Sequence, residues 1–371
     1  MKMQILKSVV PLGLIAAILM ILAPAHSSAQ TPPDKLLLKN YRPQSIYKVP
    51  NTLIAKARFP VIDMHSHAYA EGPEEIAQWV KFMDEVGVEK TMILTAASGA
   101  KFDSIYALYS KYPDRFAVWC GFDYTGYDKP GFGPAAVAEL ERCVKVGAAG
   151  VGEMGDKGKG LFYEHPTKAW GMHLDDPRMD PLLEKCADLK IPISIHVADP
   201  IWMYQPMDST NDGLMNAMEW RLDNQKDIVG HSGMIDILER AVKRHPRTTF
   251  IAVHFANLSY DLAKMGELLD KYPNLYADNS ARYAETAPIP RFVARFYEKY
   301  QDRLVYGTDM GLDREMYRIT FRILESADEH FYETNQFGYH WALNGFGLSD
   351  QILKKVYRDN ALKILNLRSG K

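Results

Sequence analysis

The chain of 371 residues carries only three cysteines, Cys120, Cys143 and Cys186. That is too few and too scattered for a disulfide framework. Their neighbourhoods, FAVWCGF, ELERCVKV and LLEKCADLK, read as one strand and two amphipathic helices, so the thiols belong on core faces. Charge of one sign is also missing. Lys and Arg number 44 against 46 Asp and Glu, a formal net charge of −2. This excludes the basic field that nucleic acid needs and the acidic block of a solvating tail, and leaves a small molecule as the expected partner. No glycine-rich phosphate loop of the dinucleotide type follows any strand-like run. Beyond the N-terminus no apolar run is long enough to cross a membrane.

What is present is apolar content sufficient for a large core, 47% of residues, in one large domain or two smaller ones. The N-terminus stands apart. Lys2 and Lys7 precede SVVPLGLIAAILMILAPA, and the small residues SSA follow. This is the pattern of a secretory signal spanning residues 1–29, with cleavage after Ala29 and a competing site after Ala25. Export to the periplasm or the medium is therefore expected, with no stable membrane anchor after cleavage. A retained anchor is the other reading of the same run, which lies near the lower length limit for a span. Residues 30–57, rich in Pro, Lys and polar groups, read as a linker and lead-in.

From residue 58 to 371 strand-like and helix-like patterns alternate. The runs FPVIDMHSH, KTMILTA, RFAVWCGFD, AAGVGEM, IPISIHVAD, TTFIAVHFAN, NLYADNS and RLVYGTDM are separated by segments with apolar residues at helical spacing. Parallel neighbours need a crossover, which an amphipathic helix supplies. Repeated over this length, the pattern predicts an α/β fold of the (β/α)8 TIM-barrel type. An aromatic and Met-rich insertion after strand five, beginning PIWMYQPMD, is expected to lie over the barrel mouth.

The functional face of such a barrel is the carboxyl end of its strands. The residues there are His65 and His67 on strand one, Glu153 on four, His196 on five, His254 on six and Asp309 on eight. Imidazole nitrogen and carboxylate oxygen are the donors that zinc and related divalent metals accept. A single buried histidine is usually a hydrogen-bonded core residue, but this joint pattern is that of a metal site. In VIDMHSHAY, strand alternation puts Asp63, His65 and His67 on one face. That face is expected to look into the barrel, with Asp63 bracing a neighbouring strand or a histidine below the metal.

The ordered set DMHSH, ISIHV, AVHFAN and YGTDM, closed by YRDNALKILNL, resembles the amidohydrolase superfamily, in its amidohydrolase-related group of hydrolases and metal-dependent decarboxylases. The resemblance runs from about Phe59 to the C-terminus. It implies that His65, His67, His196 and Asp309 hold a divalent metal, usually zinc. His254 then polarises substrate, supports a ligand, or binds a second ion. Glu153 stands where a carboxylate bridges two ions in two-metal members, so one or two ions are expected. The resemblance also makes a homo-oligomer an expectation.

The simplest chemistry is hydrolysis of a small ester, lactone, amide or phosphoester, with Asp309 shuttling the proton of a metal-activated water and His254 stabilising the oxyanion. Decarboxylation of a small carboxylic acid uses the same metal site. Export weighs toward an enzyme that cleaves what arrives from outside. A noncatalytic binding barrel would have lost a ligand, and none is missing. Candidates for the substrate pocket are Arg282 and Tyr283 after strand seven, with Trp202 and Tyr204 as an apolar wall. Lys157 and Lys159 read as a solvated loop, with pairing to a substrate carboxylate as the alternative. His231 and His245 read as structural, at a helix start and a helix end.

Overall fold

The computed structural model describes residues 31–365, and the chain divides into two units after Tyr41. Residues 31–41, taken by themselves, hold two exposed single-turn 3₁₀ helices, Pro33–Lys35 and Leu38–Asn40. The signal-peptide reading of residues 1–29 lies outside the described residues.

In the second unit, each run rich in β-branched and apolar residues becomes a strand. They are β1 Val61–Ser66, β2 Val88–Leu94, β3 Phe116–Trp119, β4 Val151–Asp156, β5 Ile193–Val197, β6 Phe250–Ala252, β7 Leu275–Asp278 and β8 Leu304–Val305. Neighbours pair in parallel along β1–β2–β3 and along β4–β5–β6–β7–β8. Two seams close the ring. Cys120 bridges to Val151, with Cys120 N–H donating to Gly150 O at 3.0 Å and Gly152 N–H to Cys120 O at 2.8 Å. At the other seam Met64 N–H donates to Tyr306 O at 2.9 Å. A closed parallel sheet with helical crossovers is a TIM barrel.

Eight main helices follow the strands: α1 Pro73–Val86, α2 Gly99–Tyr109, α3 Pro134–Val146, α4 Asp180–Leu189, α5 His231–Arg244, α6 Leu262–Lys271, α7 Pro290–Tyr300 and α8 Arg314–Glu325. α1 shows the local logic. Pro73 opens it with φ already helical, Glu74 and Glu75 sit at its positive end, and Ile76, Trp79, Met83 and Val86 bury one face. Gly87, at φ 86°, ends it in the left-handed conformation that favours glycine. No helix among the described residues is long and apolar enough to cross a membrane.

Two apolar layers result. The larger joins strands to helices. The smaller gathers Ile62, Met64, Met92, Leu94, Trp119, Ile251, Tyr276 and Val305 with Ala361, Leu362 and Ile364 near the C-terminus. Side chains from six strands of a closed ring can meet only inside it, so this cluster fills the barrel. All three cysteines are buried free thiols, as their neighbourhoods predict.

Three segments lie outside the repeat. A short antiparallel hairpin, Gly160–Leu161 with Ala169–Trp170, extends from β4. Residues 198–230 separate β5 from α5 and contain a 3₁₀ turn, Ile201–Tyr204, and a short helix, Leu214–Ala217. Residues 326–349 after α8 form a long loop with one antiparallel bridge, Phe331 to Leu343. The lead-in ties to this loop: Thr52 donates from its N–H and Oγ1 to the Asp328 carboxylate at 2.6 and 2.7 Å.

Candidate metal centre

The opening strand departs from its expected alternation. The register of β1 on β2 shifts between Asp63 and Ser66, and Ile62 and Met64 occupy the barrel interior. Asp63 therefore does not share the histidine face. Its carboxylate accepts from His65 N–H at 3.1 Å, Thr308 N–H at 3.0 Å, Thr308 Oγ1 at 2.6 Å and Tyr317 Oη, on α8, at 3.0 Å. Burial outweighs these bonds and pushes its pKa up to about 6. Asp63 braces the seam between β1 and the end of β8 from the helix side. His65, past the irregularity, turns to the carboxyl end.

Four imidazoles and two carboxylates meet there. His65 Nδ1 donates to Asp278 Oδ2 at 2.9 Å, His67 Nδ1 to Leu94 O at 2.9 Å, and His254 Nδ1 to Ser280 O at 2.8 Å. Each bond fixes a tautomer and leaves Nε2 as the free donor atom. His196 is turned the other way: Nδ1 faces Glu153 Oε1 at 3.0 Å and Nε2 faces Asp199 Oδ1 at 3.2 Å. Glu153 reaches every ring. Its Oε1 is 3.8 Å from His65 Nε2 and 3.6 Å from His254 Nε2, and its Oε2 is 3.5 Å from His67 Nε2. Asp309 Oδ1 lies 3.1 Å from His67 Nε2 and 3.5 Å from His65 Nε2.

The backbone is bent to make this arrangement. His254, Phe255, Ala256 and Asn257 form a left-handed turn, φ 54–58°, after β6. Such a turn costs roughly 1–2 kcal/mol per non-glycine residue. It is held by His254 N–H on Asp278 Oδ1 at 2.8 Å and by the Asn257 side chain, which donates to Val197 O at 3.0 Å. Asp309 is likewise left-handed, φ 69°, and its N–H donates to His65 O at 2.8 Å. Gly307 permits this approach of β8 to β1, since a Cβ there would lie 2.7 Å from the His65 Cβ.

The donor set fits a divalent cation. His65 Nε2 is buried with no hydrogen-bond partner among the described residues, yet it faces two carboxylates. Burial opposes a charge on His65, but Asp278, Glu153 and Asp309 overcome it and push its pKa up to about 10. The same burial opposes ionisation of Glu153, but His65 and His196 hold its carboxyl well below the usual range. The cluster thus lacks positive charge that a cation supplies. Ligand atoms lie within 4.8 Å of one another in three triads: His65, His67 and Glu153; Glu153, His196 and His254; His65, His254 and Asp278.

A cavity of about 590 Å³ opens beside the cluster. His67, Glu153, His196, His254 and Asp309 are on its wall, as are Trp202 and Arg282. Two expected pocket residues are not. Tyr283 is buried, its hydroxyl donating to Gly307 O, just past β8, at 2.7 Å. Tyr204 turns from the cavity to lie edge-on against His231 at 5.6 Å, while Met203 takes its place on the wall. Lys157 corrects the solvated-loop reading: it lines the cavity with Nζ 2.8 Å from Asp199 Oδ2. Lys159 is exposed and donates to Gln225. His231 and His245 are buried and bonded, the first to Asn257 O, the second to Glu184 and Asp180.

Three elements of the site were not singled out in the sequence. Asp278 orients His65, and its signal was a carboxylate at the end of strand seven in NLYADNS. Asp199 takes His196 Nε2 from three residues on in HVAD. Phe337 and Tyr339 come from the 326–349 loop, which has no periodicity to place it.

A closed parallel barrel with imidazoles and carboxylates gathered at its strand ends is a TIM barrel carrying the donor set of a metal enzyme. The amidohydrolase family model (Amidohydro_2) matches residues 62–367, and the chain belongs to that family. No curated protein matches the chain in sequence. Among solved structures it is similar to an uncharacterised TIM-barrel protein from Bordetella bronchiseptica, at 15% identity over 83% of this chain and 99% of that one, TM-score 0.50. It is similar to 2,6-dihydroxybenzoate decarboxylase from Rhizobium, at 16% identity over 83% and 99%, TM-score 0.50. A structure named amidohydrolase II matches at 15% identity over 82% and 99%, TM-score 0.52. At these identities the likeness is one of fold.

Proposed function

We propose that the chain is an exported hydrolase that uses two divalent cations, with zinc the expected metal, to cleave a small ester, lactone, amide or phosphoester. The observation that carries this reading is the place of Glu153, common to the triad with His65 and His67 and to the triad with His196 and His254. Two cations repel, and a carboxylate shared between two ligand sets offsets that repulsion. His65, His67 and Asp309 would hold one ion with Glu153, and His196 and His254 the other. Export rests on the N-terminal pattern of basic residues, apolar run and small residues.

When bound, the cations acidify water and polarise a carbonyl or phosphoryl oxygen. Asp309, partly exposed on the cavity side, takes the proton from the attacking water and passes it to the leaving group. His254 keeps its Nδ1 proton on Ser280 O. Burial and the nearby Arg282 lower its pKa, so Nε2 is a lone pair. This supports a ligand role for His254 over donation to an oxyanion.

Decarboxylation is the second reading, and its support is the likeness in fold to 2,6-dihydroxybenzoate decarboxylase. Metal analysis of the mature protein and of Glu153→Gln separates the two-ion site from a one-ion site: two equivalents falling to one are expected. Assays of neutral esters and lactones beside aryl carboxylates then decide the reaction. Release of carbon dioxide with no ester or lactone turnover overturns hydrolysis.

A further inference from the structure

We propose that the cavity beside the metal centre receives an uncharged aromatic group, the part of the substrate that does not react. The proposal deepens the hydrolase reading and rests on it for the position of the reacting bond.

The walls supply the first half of the argument. Tyr69, Tyr163, Trp202, Trp220, Phe337 and Tyr339 all line the cavity. Trp202 and Tyr339 meet edge to face at 6.4 Å, and Trp341 stacks on Tyr339 at 4.3 Å. This wall is fixed by hydrogen bonds as well as contact. Tyr339 Oη donates to Glu285 Oε1 at 2.8 Å, and Trp341 Nε1 donates to Ala284 O at 2.9 Å. Rigid aromatic faces favour a flat apolar guest at little entropic cost.

Charge supplies the second half. Apart from histidine, the described residues lining the cavity include two cations, Lys157 and Arg282. Both are already matched. Lys157 Nζ is 2.8 Å from Asp199 Oδ2 and lies over the Tyr163 and Trp220 rings at 5.8 and 5.7 Å. Drawing it to a substrate carboxylate would strip Asp199 of its partner beside His196. Arg282, 8% exposed, gives Nε and Nη2 to Asn257 Oδ1 and Nη1 to Ala281 O, and Nη1 is 3.3 Å from Glu285 Oε1. Its fork is committed to the fold. The cavity carboxylates are Glu153, Asp199, Glu285 and Asp309; two cations pair with two of them and the metal centre takes the others. A charged tail on the substrate would enter with no counter-charge, against an unpaired-charge penalty. The polar groups left on the wall, Gln336 and the Tyr163 hydroxyl, suit a neutral hydroxyl or carbonyl.

The test uses metal-reconstituted protein and three hydroxamates that share one metal-binding head: acetohydroxamate, benzohydroxamate and para-carboxybenzohydroxamate. Calorimetric titration should give benzohydroxamate at least about tenfold tighter than acetohydroxamate, and the carboxylated ligand at least about tenfold weaker than benzohydroxamate. Trp202→Ala should remove most of the phenyl advantage and leave acetohydroxamate unchanged. Equal or tighter binding of the carboxylated ligand overturns the proposal. If no hydroxamate binds, the metal-centre reading has failed, and the cavity is then read by tryptophan quenching with naphthylmethanol and naphthoate. Tighter naphthylmethanol sustains the proposal, and tighter naphthoate overturns it.

Discussion

His65 and Asp278 form a fully buried pair, with Nδ1 donating to Oδ2 across 2.9 Å at the ends of two strands, β1 and β7, far apart in sequence. Asp278 also accepts from His254 N–H and from Ser280 Oγ, so one carboxylate aims two of the four imidazoles. Asp278→Asn should therefore weaken metal affinity by roughly 10–100-fold, read by competition with a chromophoric chelator, while circular dichroism stays that of the native barrel. Unchanged affinity would remove Asp278 from the metal centre.

Asp309 is the more exposed of the two cluster carboxylates on the cavity wall. Asp309→Asn preserves its size but cannot take a proton. Turnover of any substrate the native protein hydrolyses should fall by roughly 10²–10⁴-fold, with the thermal transition little moved. A loss below tenfold would rule out Asp309 as the proton carrier.

The histidines, Glu153 and Asp309 were legible in the sequence because each lies in the last residues of a strand-like run or just past it, and a barrel brings the carboxyl ends of all its strands together. The same logic failed for Asp63. Alternation holds only while the strand is regular, and the register shift on β1 releases Asp63 to Tyr317 and Thr308. Lys157 looked like loop surface because nothing local tells that Asp199 faces it. Tyr339 and Phe337 lie in a loop whose place is set by distant partners, Glu285, Ala284 and the 198–230 segment, and sequence periodicity carries no record of those contacts.

Asn257 is a second point at which local sequence says little. Its Nδ2 donates to Val197 O, its Oδ1 accepts from Arg282, and its carbonyl accepts from His231 Nε2. Asn257→Ala leaves Arg282 without its acceptor and the left-handed turn without its tie to β5. Urea unfolding should show a loss of about 2–4 kcal/mol; a change under ~1 kcal/mol would mean the turn is held by other contacts.

Glu164 offers a pH signature away from the metal. It is fully buried, Tyr124 Oη donates to Oε1 at 3.3 Å, and Oε2 has no partner among the described residues. Burial pushes its pKa up to about 8 from 4.5. The folded protein then keeps a proton that the unfolded chain releases, so this contribution to stability is full below the unfolded value and is lost as pH rises towards 8. Against Glu164→Gln, the native protein should lose up to about 1.4 kcal/mol per pH unit across that window. Parallel stability curves for the two proteins would show that Glu164 is ionised in the fold.

The stacking of Trp202, Tyr339 and Trp341 joins two segments that precede and follow three strands of the barrel. Both segments give side chains to the cavity wall. Replacing residues 198–230 alone with those of a relative would leave the rings of the 326–349 loop facing a stranger, and the reverse exchange would do the same. The two segments are therefore two keys to one lock, and an exchange that keeps these ring contacts has to take both together.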